Sequence, residues 1–435
     1  MNSQVIGILG LVVMILLVGF GMPIGFVMLG IGLGGYWLMD GSRAALGIYG
    51  GIFWNTLNNY NFTVIPLFIL MGNLALHAGF GEDIFNTIRQ WIGRLRGSLA
   101  MATCLGCAAF GTISGDAISC TITMGKIAIP EMEKAGYDIK LGIGSVAAAA
   151  PLAAMVPPSV LICLYGMIVE QSIGKLLIAG FIPGFMTAFV FSMMIYLLAW
   201  RNPSIAPVTS SGVSWKQKFA SLKRSWIVIL SAVMIFGGMY SGVFTPTEAG
   251  GMAALIILVG GITRGSLNLP RIWAALLDTA KIVGMICMVL VGAFMFNAMI
   301  VLTGIAPIMV DFIGGSGFPP LGVLLLIMGM YLILGCFMNA IAMLFLTMPL
   351  VYPIVLQQGF DPIWFGILVV HMCEIGCITP PYGLTLFAVK TVLPVGTPSA
   401  LVVRSILPFL VTDMVVLAIL IAFPQITLFL PNLMR

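Results

Sequence analysis

Charge is what this sequence most lacks. Of 435 residues, 8% are Asp, Glu, Lys or Arg and 60% are hydrophobic; a soluble domain carries about a quarter charged residues. That shortage excludes an ordinary soluble globule and makes lipid the expected surroundings. The net charge is only +5, so nothing here reads as a nucleic-acid-binding surface. Histidine is nearly absent: His77 and His371 are too few and too separated for a metal centre. The eight cysteines form no disulfide framework. Cys104-x-x-Cys107 has no second pair near it, and Cys373 and Cys377 sit one helical turn apart; all read as buried apolar thiols. No HExxH, GxSxG or paired-Asp motif falls in an apolar run, so an enzyme finds no support. No basic residue precedes Arg43, and the first apolar run reads as a retained span rather than a cleaved signal.

What is present is a series of apolar runs of bilayer-crossing length, about 20 residues each. They lack the alternation a membrane β-barrel requires. Spans are expected at 4–20, 22–39, 62–79 and 174–200, then at 225–241, 246–263, 282–303 and 401–431. Amphipathic stretches fall at 45–58 and 269–281. An interfacial helix is expected over 82–96, with Ile84, Ile88, Trp91, Ile92 and Leu95 on one side and Glu82, Arg89 and Arg94 on the other. Residues 201–224 read as a polar linker.

One unit occurs twice. GTISGDA (Gly111–Ala117) is followed by Pro130, Asp138 and MVPPS (Met155–Ser159). GCFMNAI (Gly335–Ile341) is followed by Pro353, Asp361 and ITPPY (Ile378–Tyr382). Asp138 precedes Pro157 by 19 residues, as Asp361 precedes Pro380. The later landmarks recur at an offset of 223 and Gly111 to Gly335 at 224, which marks an internal repeat. Residues 98–134 and 320–357 are too long for one crossing and read as re-entrant hairpins, the first turning near Ser114-Gly115. Residues 138–169 and 361–392 read as helices broken at a double proline. The fold class is therefore an all-α polytopic membrane protein of two repeats, 1–200 and 225–435, joined by 201–224. The hairpins and broken helices fall in 61–169 and 282–392, and the remaining spans in 1–60, 174–200, 225–281 and 401–435.

Each repeat has five crossings, an odd number, so the two are inverted. With 201–224 cytoplasmic, that side collects 15 of the 19 Lys and Arg residues, as the positive-inside rule requires. Both termini then lie on the periplasmic side. Inverted repeats whose broken helices meet at mid-membrane are an architecture of secondary transporters.

Unwound peptide inside a bilayer persists only where protein buries it or where it lines a cavity. Freed carbonyls suit Na⁺, and helix N-termini suit anions. One candidate cation site joins Ser114 to the carbonyls of Ala153–Pro158. A second joins Gly335 and Asn339 to Gly376–Thr379, where Thr379 adds a hydroxyl. Any one of these polar side chains also has a plainer role open to it, an interhelical hydrogen bond. Asp116 and Glu374 are acids near the breaks and candidates for a coupling-ion ligand or a proton carrier. Asp116, Ser159, Pro381 and Lys390 are the candidates for substrate contact, although Lys390 can equally reach the membrane surface. Glu248 reads as a brace for its own helix.

MGN (Met71–Asn73), Ser114-Gly115, VPPS (Val156–Ser159), SIGKL (Ser172–Leu176), TPTEA (Thr245–Ala249), DPIWFG (Asp361–Gly366) and EIGCITPP (Glu374–Pro381) resemble the large membrane subunit of tripartite ATP-independent periplasmic transporters. The resemblance spans essentially the whole chain. It implies an elevator-type secondary transporter, ion-transporter-superfamily-like, in which 61–169 and 282–392 move against a scaffold of 1–60, 174–200, 225–281 and 401–435, driven by a Na⁺ gradient and without an organic cofactor. It implies a periplasmic binding protein that delivers an organic acid such as a sialic acid or a dicarboxylate, and a separate small four-helix membrane subunit. It places one Na⁺ site at Ser114, Ala153, Met155 and Pro158, and a second at Gly335, Asn339, Gly376 and Thr379. The family often has SGS where this chain has Ser114-Gly115-Asp116, and Asp where it has Asn339, as if a negative charge had moved between hairpins. It implies a bacterial inner-membrane location. The alternative is a stand-alone Na⁺- or H⁺-coupled carboxylate transporter that needs no binding protein.

Overall fold

A computed structural model describes residues 3–208, 214–315, 317–336, 338–380, 383–394 and 396–434. Among them the regular structure is helical throughout. The chain begins with α1 (Ser3–Gly19), α2 (Ile24–Leu57), α3 (Val64–His77) and α4 (Phe80–Ile92). Then come α5 (Ser98–Ser114), α6 (Ala117–Lys134), α7 (Ile139–Ala149), α8 (Leu152–Met155), α9 (Val160–Ile168) and α10 (Ile173–Arg201). Next are α11 (Trp215–Arg224), α12 (Trp226–Tyr240), α13 (Pro246–Thr263), α14 (Leu269–Thr303) and α15 (Ile305–Gly315). The chain ends with α16 (Pro320–Gly335), α17 (Ala340–Gln357), α18 (Pro362–Ile378), α19 (Leu384–Lys390), α20 (Ser399–Ala422) and α21 (Pro424–Leu433).

Both expected hairpins are broken where the local chemistry breaks them. α5 stops at Ser114 because Gly115 takes a left-handed conformation (φ 60°), which costs glycine little. α6 then starts from Asp116, whose carboxylate accepts the Ser119 N–H at 2.7 Å. In the second hairpin α17 starts from Asn339, whose amide oxygen accepts the Ala342 N–H at 2.7 Å. Both are N-caps. The four arms have 17, 18, 16 and 18 residues, each about 24–27 Å long. The double prolines break the following helices: α7–α8 and α9 bend by 43°, and α18 ends at Ile378 before α19.

Elsewhere the structure redraws the expected boundaries. The span 22–39 and the stretch 45–58 form one element, α2, kinked at Gly41 (φ 84°, ψ 167°). Residues 269–281 and 282–303 are a single 35-residue helix, α14, because nothing in Asp278–Val283 breaks the backbone ladder. The linker contains α11, and α15 was not expected. The last span divides at Phe423-Pro424 into α20 and α21. Among the described residues seven helices are long and apolar enough to cross a membrane, or nine if each bent pair is one span. α1 and α18, at 17 residues, fall just short, and α17 is counted although it is a hairpin arm. Large side chains such as Leu38, Val233, Leu326 and Val411 are more than half exposed on the outer helix faces, a surface suited to lipid and not to water.

Packing sorts the helices into two groups. α14 lies along α2 and α3, α13 along α3 and α12, and α1 along α2. The hairpins and broken helices pack with the helices that follow them: α5 on α6, α7 and α10, α7 on α20, and α18 on α16, α17 and α20. Phe191 of α10 meets Phe409 of α20 edge-on at 5.5 Å. Trp364 Nε1 donates to the Leu420 carbonyl at 3.0 Å, and the Tyr165 hydroxyl donates to the Pro362 carbonyl at 2.7 Å. α3 joins the groups, since it also packs on α5 and α9. At one end of the bundle α4 lies against α11. There Lys218 Nζ sits 5.8 Å from the Trp91 ring and 5.1 Å from Trp215, a cation–aromatic cluster suited to a headgroup layer.

Candidate functional site

In a continued helix the N–H groups of residues 157 and 158 would bond to the carbonyls of Ala153 and Ala154. Proline has no N–H, so both carbonyls lose their helical donors. Ala154 regains one: Ser159 donates its hydroxyl to the Ala154 carbonyl, while Ser159 Oγ caps α9 by accepting the Ile162 N–H at 3.1 Å. The Ala153 carbonyl gains no such replacement. The same logic runs through the second break, where Pro380 and Pro381 deprive Gly376 and Cys377. Thr385 donates to the Cys377 carbonyl at 3.0 Å, taking the part Ser159 plays in the first copy. Among the described residues the Gly376 carbonyl accepts only the tighter Thr379 N–H at 3.1 Å.

Each hairpin presses on its own break. A Cβ on Gly111 would stand 2.7 Å from the Ala153 Cα, and one on Gly115 would stand 2.8 Å from the Pro158 carbonyl oxygen. A Cβ on Gly335 would stand 2.5 Å from the Gly376 Cα. Ala153 and Gly376 are 223 residues apart, so the equivalent contact is made twice. At the first tip the Ser114 hydroxyl is buried without a hydrogen-bond partner among the described residues. The structure thus brings Ser114, Ala153 and Pro158 into one neighbourhood, and Gly335, Gly376 and Thr379 into another. The Met155 carbonyl faces α10, where a Cβ on Gly180 would stand 2.6 Å from it. Thr379 donates its hydroxyl to the Ile375 carbonyl at 2.6 Å.

The residues singled out for substrate are less uniform. Asp116 and Asn339 occupy the same register position and both cap the second arm of a hairpin. The Ser159 hydroxyl proton is already committed to Ala154. Lys390 is exposed and donates from Nζ to Ser399 Oγ at 2.7 Å. Pro381 lies outside the described residues. Glu248 caps its own helix, accepting the Thr245 N–H at 2.8 Å.

Two features escaped the sequence reading. Gly72 lets α3 lie on the first tip, since a Cβ there would meet the Ser114 carbonyl oxygen at 2.7 Å, and Asn73 beside it donates to Thr279 Oγ1 at 2.9 Å. The MGN motif is the visible trace of that contact. His371, Glu374 and Asp413 gather in one buried cluster; Asp413 lies in an unremarkable apolar run, and no local signal marks it. Among the described residues no group of three or more His, Cys, Asp or Glu has the arrangement of a metal site.

Residues 11–426 match the family described as "Tripartite ATP-independent periplasmic transporter, DctM component". The chain is 32% identical to the sialic acid TRAP transporter large permease protein SiaM of Vibrio cholerae, over 95% of each chain. It is 33% identical to the C4-dicarboxylate TRAP transporter large permease protein DctM of Pseudomonas aeruginosa, over 87% of each. It is 32% identical to the ectoine/5-hydroxyectoine large permease UehC of Ruegeria pomeroyi, over 85% of each. Among solved structures, the YdaH transporter of Alcanivorax borkumensis superposes with a TM-score of 0.60 at 15% identity, over 89% of each chain. MtrF of Neisseria gonorrhoeae superposes at 0.56 and 14%, over 89% of this chain and 85% of that one. At those identities the likeness speaks for the helical fold alone.

Proposed function

The chain belongs to the tripartite ATP-independent periplasmic transporter family as its DctM component, and from that premise we propose that it is the permease of a binding-protein-dependent secondary transporter, importing a small organic acid together with Na⁺. The observation that carries this reading is the doubled contact of hairpin and break, Gly111 on Ala153 and Gly335 on Gly376. It supports two cation sites, Ser114 with the Ala153 and Pro158 carbonyls, and Gly335 with Gly376 and Thr379; Met155, whose carbonyl faces Gly180 of α10, and Asn339, which caps α17, are assigned to these sites by the family resemblance alone. The unpartnered Ser114 hydroxyl offers the first an oxygen with no other use. The relatives are named for sialic acid, C4-dicarboxylates and ectoine, all of which carry a carboxylate. An anion fits the N-terminus of α9, which starts from Ser159 beside the first break. For substrate contact the reading leans on Asp116 and Ser159; Lys390 is turned to Ser399.

The repeat supports an inverted pair of halves in the inner membrane, with both termini periplasmic and the linker cytoplasmic. It also supports an elevator movement, but packing favours a different division from the one expected. α10, α20 and α21 pack with the hairpins and broken helices, and α3 packs with α13 and α14. The moving body is accordingly α5–α10 with α16–α21, carried against α1–α3 and α12–α14. A small membrane subunit and a periplasmic binding protein complete the transporter. The test is uptake of a labelled carboxylate panel into proteoliposomes holding the permease with both partners, driven by Na⁺ or by K⁺ as control. Sodium-dependent uptake that requires the binding protein is expected. Equal uptake without the binding protein would favour the stand-alone carboxylate transporter.

A further inference from the structure

α12 meets lipid from its first turn. Trp226 opens the helix 52% exposed, and Ile229, Leu230 and Val233 follow on an outer face that suits acyl chains. α11 immediately precedes it and bends away by 65°. A helix turned so sharply at the end of a span lies across the bilayer surface, at the level of the headgroups. The bend is fixed by α4. Thr87 Oγ1 lies 3.1 Å from the Ser221 carbonyl and 2.8 Å from Ser225 Oγ, which in turn lies 3.2 Å from the Asp83 carbonyl.

The surface this platform presents mixes rings and cations. Trp215 is 68% exposed and Phe219 59%, one turn apart on α11. Both meet Trp91 of α4 edge-on, with ring centroids 6.3 and 6.0 Å away. Lys218 is engaged within the cluster, donating to the Trp91 carbonyl at 3.2 Å. Arg94 and Arg96 follow Trp91 in the turn after α4, Lys216 adjoins Trp215, and Lys223 and Arg224 come about one turn after Phe219. These five are exposed, and among the described residues none of them pairs with a carboxylate. The acids of the region are engaged or set apart. Asp83 binds Arg264 and Glu131 binds Arg89. Glu82 stands at the other end of α4, about 13 Å along the helix from Trp91, and Glu133 belongs to α6.

A face turned only to water has no use for exposed tryptophan, and a face turned only to acyl chains cannot hold unpaired cations. Together they fit the boundary, where rings sit among the glycerol groups and cations reach the phosphates. We propose that α11 and the turn after α4 form a docking surface for anionic phospholipid headgroups. A phosphatidylglycerol headgroup carries the net negative charge that a zwitterionic one lacks, so charge selects it. This holds in whichever leaflet the linker lies.

The position of the surface gives it a consequence. α11 runs into α12, while α4 packs on α5 and α6 of the first hairpin. Lipid docked here holds the place where the fixed and moving bodies join, so uptake should slow without anionic lipid. That consequence rests on the proposed transport function; lipid docking itself does not.

Native mass spectra of the full chain, released from micelles holding equal amounts of phosphatidylglycerol and phosphatidylcholine, count each lipid retained. We expect phosphatidylglycerol to be retained in preference. Its retention should fall at least about tenfold in Arg94→Gln/Arg96→Gln/Lys216→Gln/Lys223→Gln, since each cation near an anionic surface strengthens binding about fivefold. Arg43→Gln/Lys140→Gln/Lys175→Gln/Arg404→Gln removes as many exposed charges elsewhere on the chain and should keep the lipid. If gel filtration shows the first variant misfolded, Arg94→Gln/Arg96→Gln and Lys216→Gln/Lys223→Gln replace it, each with part of the loss. Equal retention of both lipids overturns the proposal, as does a preference that survives the surface variants or falls equally in the control. Displacement by excess inorganic phosphate identifies a soluble-anion site instead and overturns it too. Failure of sodium-driven uptake, with lipid retention intact, would strike the transport reading alone.

Discussion

Gly335 and Gly376 meet backbone to backbone: a methyl group on Gly335 would stand 2.5 Å from the Gly376 Cα, and one on Gly376 would stand 2.7 Å from the Gly335 Cα. Neither neighbour is a side chain that can swing aside, so Gly335→Ala must part the hairpin from the break. We expect a loss of about 1–3 kcal/mol, the usual scale of overpacking, together with loss of uptake. Gly111→Ala should behave alike, because it would meet the Ala153 Cα at 2.7 Å. Gly237→Ala on α12, with nothing within 4 Å of its Cβ position, should be neutral or stabilising by up to about 1 kcal/mol. Thermal unfolding of the purified protein ranks the three.

Asn339 allows a cap to be told from an ion ligand. Asn339→Ala removes the acceptor for the Ala342 N–H and should cost about 0.5–2 kcal/mol. Asn339→Asp keeps the cap and adds a charge, so its stability should stay near wild type while the sodium dependence of uptake shifts. Ser114→Ala removes a hydroxyl that has no partner among the described residues, and should leave stability nearly unchanged but weaken Na⁺ activation. Sodium titrations of uptake decide this; unchanged dependence in both Ser114→Ala and Asn339→Ala would remove both residues from the ion sites.

Asp83 and Arg264 tie α4 to the end of α13. Arg264 Nη2 donates to Asp83 Oδ1 at 2.9 Å, and Nη1 bonds the other carboxylate oxygen. The Asp83 side chain is only 12% exposed, so Arg264→Ala strands a nearly enclosed carboxylate. A destabilisation of about 1–3 kcal/mol is expected, partly recovered in the Asp83→Ala/Arg264→Ala double variant. A denaturation series over the four proteins gives the coupling.

The proposed inverted arrangement makes a topological prediction. Ser204 is exposed in the stretch assigned to the cytoplasm. A Ser204→Cys variant in intact cells should react with a membrane-permeant maleimide and resist an impermeant one until the cells are lysed. Labelling by the impermeant reagent before lysis would invert the assignment.

The places where helices stop were legible because their causes are local. Pro157-Pro158 and Pro380-Pro381 remove backbone donors whatever surrounds them. Gly115 and the capping side chains of Asp116, Asn339 and Asp361 act within three residues of themselves. The first candidate site was legible for the same reason, since Ser114 and the proline pair carry their own chemistry.

What stayed hidden was set at a distance. The unbroken course of α14 through 281–282, where composition changes but geometry does not, is held by its packing along α2 and α3. The grouping of α10 and α20 with the hairpins depends on which apolar faces meet, and apolar faces look alike in sequence. Asp413 is a lone acid in an apolar run, and only the approach of α20 to α18 puts it 3.3 Å from His371. The amino-acid order alone determined where this chain must unwind, because a proline or a cap acts on its nearest neighbours. Tertiary structure decided which unwound peptide, hydroxyl or carboxyl faces which, because contacts between residues tens to hundreds apart exist only after the helices have packed.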